Sequence, residues 1–242
     1  MKYFCEIPEV WALEFLEKMP FTGYWISSLT RSWQKGYSDN CTLPWTDYVE
    51  YVVRLRQFTE RPIMVDVDML YADIDIAPTV ARAYEVAGAD SIVVESKVFP
   101  KVNSLMDHVP VMDPDEYYSI IHKVTNKVSR LKVYARLEYL YMMKDPAKVA
   151  SIGINCMEAG ADGLVIHWKD PYDLEPLELT LRLLKNRGIP TGIIPTKFLN
   201  DVGKFNDITD FSILGNVVSS KIREQFEDVY WKKLITQESK FY

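Results

Sequence analysis

The sequence predicts an α/β fold, a (β/α)8 barrel, on three observations. Eight short β-rich runs alternate with helical patterns from end to end of the 242 residues. Most of those runs are near-continuously apolar, as strands buried on both faces of a parallel sheet are. An Ala-Gly-Ala-Asp joint also recurs, at Ala87-Gly88-Ala89-Asp90 and at Ala159-Gly160-Ala161-Asp162, each time just before an apolar run. Repeated βα units with short joints build a parallel sheet, and eight of them favour a closed barrel over an open one.

The strands are expected at 3–7, 23–28, 63–68, 91–96, 132–138, 163–168, 191–196 and 211–216. A helix is expected over 8–19, with Pro8 in its first turn and Val10, Leu13, Phe15 and Leu16 on one broad face. A second covers 45–57, with Tyr48, Val49, Val52, Val53 and Leu55. The segment 113–130 opens with Asp-Pro-Asp and repeats Tyr117, Ile120, Ile121, Val124 and Val128. The segment 145–158 opens with Asp-Pro. The glycines of the joints, and Gly188 before Thr191, are expected to end helices. Residues 216–242 read as a last helix, centred on about 217–239, with Val217, Ile222, Phe226, Val229 and Tyr230 apolar. No stretch reads as a linker, so 1–242 is taken as one domain. Residues 98–112 are long for a βα loop, which marks a mobile or functional segment.

Composition excludes several roles. Hydrophobic residues make up 48% and charged residues 26%, too apolar and too mixed in charge for a disordered chain. A net charge of −6 argues against nucleic acid as a partner. Three widely spaced cysteines imply neither a disulfide framework nor a zinc ribbon and suit a reducing, cytoplasmic setting. Glu6 comes too early for a signal peptide, and no apolar run is long enough to span a membrane.

Barrel active sites form at the C-terminal strand ends, and those ends are polar here: Trp25, Ser27 and Ser28; Asp66 and Asp68; Glu95 and Lys97; Arg136 and Glu138; His167 and Lys169; Thr196 and Lys197; Asn216. Asp66, Asp68 and Glu95 are hard oxygen ligands on neighbouring strands, suited to Mg2+; the alternative is an ion-pair network with Lys97, Lys101 or Arg136. Arg136 and His167 suit an anion, or else an ion pair and a satisfied core histidine. His108 and His122 carry no such signal.

The run Glu95-Ser96-Lys97-Val98-Phe99-Pro100-Lys101-Val102-Asn103-Ser104 resembles the phosphoenolpyruvate mutase branch of the isocitrate lyase superfamily. The branch pattern is Glu-Asp-Lys, five variable residues, then Asn-Ser, and only its Asp is replaced, by Ser96. Gly23-Tyr24-Trp25-Ile26-Ser27-Ser28-Leu29, Ser38-Asp39, Val65-Asp66-Val67-Asp68, Ala135-Arg136-Leu137-Glu138, Ile166-His167 and Ile194-Pro195-Thr196-Lys197 follow the branch in order. The resemblance implies Mg2+ on Asp66, with Asp68 and Glu95 reaching it through water. It implies a pyruvyl carboxylate held at Ser27, Ser28 and Leu29, and a phosphoryl group among Trp25, Asn103, Arg136 and His167. It also implies a gate carrying Lys101, Asn103 and Ser104, with Asp39 near the migrating group. The implied reaction interconverts phosphoenolpyruvate and 3-phosphonopyruvate, the first step of phosphonate biosynthesis. The implied assembly is a homodimer or homotetramer, in which the last helix packs on a neighbour; the apolar pattern of 216–242 fits a private core helix equally.

Three departures stand out. The branch's Asp-Thr-Gly-Tyr-Gly-Asn becomes Asp68-Met69-Leu70-Tyr71-Ala72-Asp73, an Arg after the gate is missing, and a His after Asn216 is lost. The rivals are phosphonopyruvate hydrolase, which tends to have Thr before the gate Ser, a carbon–carbon lyase, which carries a gate Cys absent here, and a non-catalytic binder of small carboxylates.

Overall fold

A computed structural model describes residues 1–225 apart from Leu105, Asp107 and Thr196. Eight parallel strands close on one another in sequence order. They are β1 (Lys2–Glu6), β2 (Gly23–Ile26), β3 (Ile63–Asp66), β4 (Ser91–Glu95), β5 (Lys132–Leu137), β6 (Gly163–His167), β7 (Thr191–Ile194) and β8 (Phe211–Leu214). The helices are α1 (Leu13–Leu16), α2 (Ser28–Gln34), α3 (Trp45–Arg56), α4 (Ala77–Ala87), α5 (Pro114–Thr125), α6 (Tyr139–Met143), α7 (Pro146–Glu158), α8 (Glu175–Lys185) and α9 (Val217–Gln225).

Side chains alternate faces along a strand, and two separate apolar clusters record that alternation here. Tyr24, Ile26, Ile63, Val65, Ile92, Val94, Val133, Ala135, Leu164 and Ile166 face outward and pack under the helices. Phe4, Trp25, Met64, Val93, Val165, Ile194, Phe211 and Ile213 face inward and fill the barrel, with Tyr134 against them. The Phe211 ring stands edge-on to Phe4 and to Tyr134, with centroids at 5.9 and 5.2 Å. Glycine is required beside these rings. A Cβ on Gly192 would lie 2.2 Å from Phe211, and one on Gly23 would lie 2.4 Å from the Pro62 carbonyl.

The Ala-Gly-Ala-Asp joints do two jobs. Gly88 and Gly160 adopt left-handed φ of 96° and 102° and end α4 and α7, as expected. The following aspartates then clamp the preceding strand. Asp90 accepts from the Ile63 amide and Asp162 from the Val133 amide, both at 2.8 Å. Asp210 repeats the clamp on Thr191.

Several boundaries differ from expectation. Every strand leaves the sheet one or more residues before its expected end. The segment 8–19 forms only a 3₁₀ turn (Val10–Ala12) and the short α1, and Phe15 is exposed while Leu13 and Leu16 are buried. The helix of 113–130 stops at Thr125. The last helix is seen as α9; residues 226–242, with Phe226, Val229 and Tyr230, lie outside the described residues. Among the described residues no helix is long and apolar enough to cross a membrane.

Candidate active site

The inward rows end in charge at the C-terminal mouth. Met64 leads to Asp66, Val93 to Glu95, Tyr134 to Arg136 and Glu138, and Val165 to His167; a spacing of two keeps each series on one face. They converge on a small cavity at the barrel mouth. Trp25, Ser27, Ser28, Leu29, Asp39, Asp66, Glu95, Lys101, Asn103, Ser104, Arg136 and His167 all line it, so every expected site residue but Asp68 is there. Asp68 joins through its neighbours and also borders a smaller cavity with Cys41, Tyr48 and Tyr84.

Asp66, Asp68 and Glu95 are buried, with carboxylate oxygens all within 4.8 Å of one another. Five carboxylates (Asp39, Asp66, Asp68, Glu95 and Glu138) meet three fixed cations (Lys97, Lys101 and Arg136). Arg136 lies 2.5 Å from Glu95 and 2.6 Å from Glu138, and Lys97 lies 2.8 Å from Glu95. Lys101 pairs with Asp39 at 2.7 Å and with Asp68. The alternative reading of an ion-pair network is thus present alongside the acid cluster. With all five acids ionised, the two excess negative charges would be balanced by one divalent cation.

The acids respond in opposite directions. Burial, then the charge of Glu95, pushes Asp66 up to about 7. Burial also works against ionised Glu95, but Arg136, Lys97 and Lys101 outweigh it and hold Glu95 down at about 2. Asp66 Oδ2 accepts from Ser28 Oγ at 2.8 Å, while its buried Oδ1 has no hydrogen-bond partner. An orphaned carboxylate oxygen inside a close triad of hard donors fits a metal ion of the Mg2+ type.

The loop over 98–112 is folded down onto this cluster. Lys97 and Val111 bridge its base. Lys101, whose side chain is only 2% exposed, donates to Ser28 Oγ at 2.8 Å as well as to Asp39 and Asp68. Asn103 donates to Asp39 at 2.7 Å. Ser104 accepts from Arg136 at 3.0 Å and from Lys97, and donates to Glu138 at 3.1 Å. Outside, Lys169 donates to the Met106 carbonyl and sits 4.0 Å over the Tyr141 ring.

His167 Nδ1 lies 2.7 Å from Glu138 Oε2. Burial lowers the pKa of His167, and Glu138 only partly opposes it. Burial also acts against ionised Glu138, but Arg136, His167 and Lys97 hold its pKa well below the carboxylate range. An ionised carboxylate only accepts, so the neutral ring carries its proton on Nδ1. Opposite, Ser27 caps α2, accepting from the Thr30 amide at 3.4 Å. The first-turn amides of Ser28 and Leu29 have no intrahelical acceptor.

Glu138, Lys97 and Asn216 belong to the site although the sequence reading assigned none of them a catalytic, substrate-binding or metal-binding role. Glu138 and Lys97 could have been found from their i+2 spacing to Arg136 and Glu95. Asn216 could not, because its partners are distant in sequence. Leu70, which replaces the first lost glycine after β3, holds a left-handed φ of 50°, and its neighbour Tyr71 holds 65°. Met69 is fully buried, with its sulfur 3.6 Å from that of Cys41. His108 and His122 are exposed.

A family model described as phosphoenolpyruvate phosphomutase matches residues 3–205. A phosphoenolpyruvate phosphomutase of Tetrahymena pyriformis is 28% identical over 192 residues, 76% of this chain and 62% of that protein. One of Streptomyces hygroscopicus is 30% identical over 151 residues, 61% and 48% of the two chains. A phosphonopyruvate hydrolase of Variovorax sp. is 28% identical over 155 residues, 62% and 53%. The chain therefore spans less than two thirds of the length of these curated relatives. In fold, the structure of a phosphoenolpyruvate phosphomutase from Streptomyces platensis subsp. rosaceus matches at TM-score 0.87 and 21% identity, over 98% of this chain and 84% of that one. A phosphonopyruvate hydrolase in complex with oxalate and Mg++ matches at 0.80 and 22% identity, over 95% and 82%.

Proposed function

The chain belongs to the phosphoenolpyruvate phosphomutase family, and on that premise we propose that it interconverts phosphoenolpyruvate and 3-phosphonopyruvate, as an isomerase with Mg2+. The observation that carries the reading is the shut gate. Lys101 and Ser104 are buried against the acid cluster and line the cavity. Phosphoryl transfer passes through a loose, metaphosphate-like state that water would trap, so a transferase of this kind must exclude it.

Asp66, Asp68 and Glu95 would hold the metal, which when bound supplies positive charge to the oxygens of the pyruvyl unit. The free first-turn amides of Ser28 and Leu29 would bind the carboxylate of that unit. Arg136 is oriented by Glu95 and Glu138 and would face the phosphoryl oxygens with its planar fork. A multiply charged phosphoryl group would favour the imidazolium form of His167, and Nε2–H would then donate to it while Nδ1–H stays on Glu138. Asp39 would stand beside the migrating group and anchor Lys101 and Asn103 over it. The phosphoryl group leaves the enol oxygen and bonds to the methylene carbon of the same enolate.

Phosphorus NMR of the protein with phosphonopyruvate and Mg2+ tests this. Conversion to phosphoenolpyruvate is expected. Free phosphate with pyruvate would instead mark the hydrolase activity of the Variovorax relative, and an unchanged spectrum would refute both.

A further inference from the structure

We infer that Asn216, at the start of α9, is a positioning residue for the turn that would bind the substrate carboxylate, and that buried Glu6 holds it there. The inference rests on the reading of Ser27–Leu29 given above.

Asn216 takes φ of 60°, a left-handed conformation that asparagine tolerates better than most residues. This shape turns the chain out of β8 into α9. Its Oδ1 accepts from Ser27 Oγ at 3.1 Å and lies 3.1 Å from Thr30 Oγ1. Ser27 is the cap of α2, so one hydroxyl does two things. It donates to Asn216, and its lone pair accepts the Thr30 amide. Donating to Asn216 fixes the rotor of that hydroxyl, and the fixed rotor aims the lone pair at the helix. The amides of Ser28 and Leu29 lie between those two fixed points.

Glu6 supplies the anchor. It is fully buried at the end of β1. Its carboxylate accepts from Thr30 Oγ1 on α2 and from both the amide and the hydroxyl of Ser219 on α9, at 3.1 and 2.7 Å. Thr30 has one hydroxyl proton and gives it to Glu6, the nearer acceptor, which leaves Ser27 as the firm partner of Asn216. The first turns of α2 and α9 are thus tied to a single buried carboxylate. The anion-binding turn depends on where the C-terminal helix begins, more than 180 residues away in sequence.

The test compares wild type with Asn216→Gly, Ser27→Ala and the double variant, and uses Ser219→Ala as a second route to the same link. Glycine keeps the left-handed backbone and removes only the amide. Amide hydrogen exchange at Thr30 and Arg31, whose amides are bonded to Ser27, needs no ligand. It should speed up about tenfold in Asn216→Gly, the change expected from one to two lost neutral hydrogen bonds, while β4 and β5 stay unchanged. The double variant should be no faster than the worse single one, because Asn216 acts through Ser27. Ser219→Ala should shift the same amides in the same direction. With phosphonopyruvate and Mg2+, KM should rise about tenfold with kcat little changed, as when binding shared by ground and transition states is lost. Unchanged exchange at Thr30 and Arg31 in both Asn216→Gly and Ser219→Ala, or fully additive effects in the double variant, would overturn the link. A wild type that turns over neither substrate would fail the proposed function alone, since the exchange comparison still decides the link.

Discussion

Replacing Asp39 by Ala should open the gate without unfolding the barrel. Asp39 accepts from Lys101 Nζ and from Asn103 Nδ2, both at 2.7 Å, and both donors belong to the gate. Hydrogen bonds to a charged group contribute about 1.5–3 kcal/mol each. Lys101 keeps Asp68 and Ser28 as partners, so its loss falls at the low end. In the open form both donors regain water, which offsets part of the rest. The closed form should lose about 2–3 kcal/mol overall, a factor of about 30–150 in the closed-to-open ratio. Amide exchange of residues 97–104 measures that ratio directly, because exchange there requires local opening. The expected result is acceleration of that order confined to the gate, with α4 and α7 unaffected. Acceleration below about threefold would show that Asp39 does not hold the gate, and acceleration everywhere would show that it acts on global stability instead.

Three further outcomes follow from the same geometry. The raised pKa of Asp66 means that the folded metal-free protein holds a proton that the unfolded chain has released. Its contribution is complete below the ordinary aspartate range and is lost as pH rises to about 7; the difference in stability between wild type and Asp66→Asn should therefore fall over that window, and saturating Mg2+ should abolish the slope. Changing Glu138 to Gln removes the charge that favours protonated His167, so the His167 pKa should drop further in an NMR titration, with about 2–4 kcal/mol lost because Arg136 stays buried beside one acid fewer; an unchanged or higher His167 pKa would count against the pairing. Gly192→Ala should cost about 2–3 kcal/mol in urea unfolding, since its Cβ would collide with a Phe211 ring already wedged by Phe4 and Tyr134.

The barrel was legible because its physics is local. Apolar runs, glycine stops and Asp clamps each lie within a few residues, and all eight strands fall where those signals put them. The ends of the strands were overrun because residues such as Asp68 and Glu138 continue a strand-like spacing after the ladder has ended. Helix α2 went unread because Ser27 and Ser28 look like the end of β2, whereas Ser27 is a cap. Lys101 could equally have been a solvated loop lysine, and its burial is decided by Asp39 and Asp68, which local sequence does not bring near it. The buried links Glu6–Ser219 and Asn216–Ser27 connect opposite ends of the chain, so no window of sequence contains them.

The rings of Phe4, Tyr134 and Phe211, with Met64, Val93 and Val165 above them, stop the barrel at its N-terminal end. Among the described residues, that plug closes the candidate site from below. On the proposed function, substrate, product and water would then all pass on the gate side. Discrimination against water would become a matter of timing: the interval for which the gate stays shut would have to outlast the transfer.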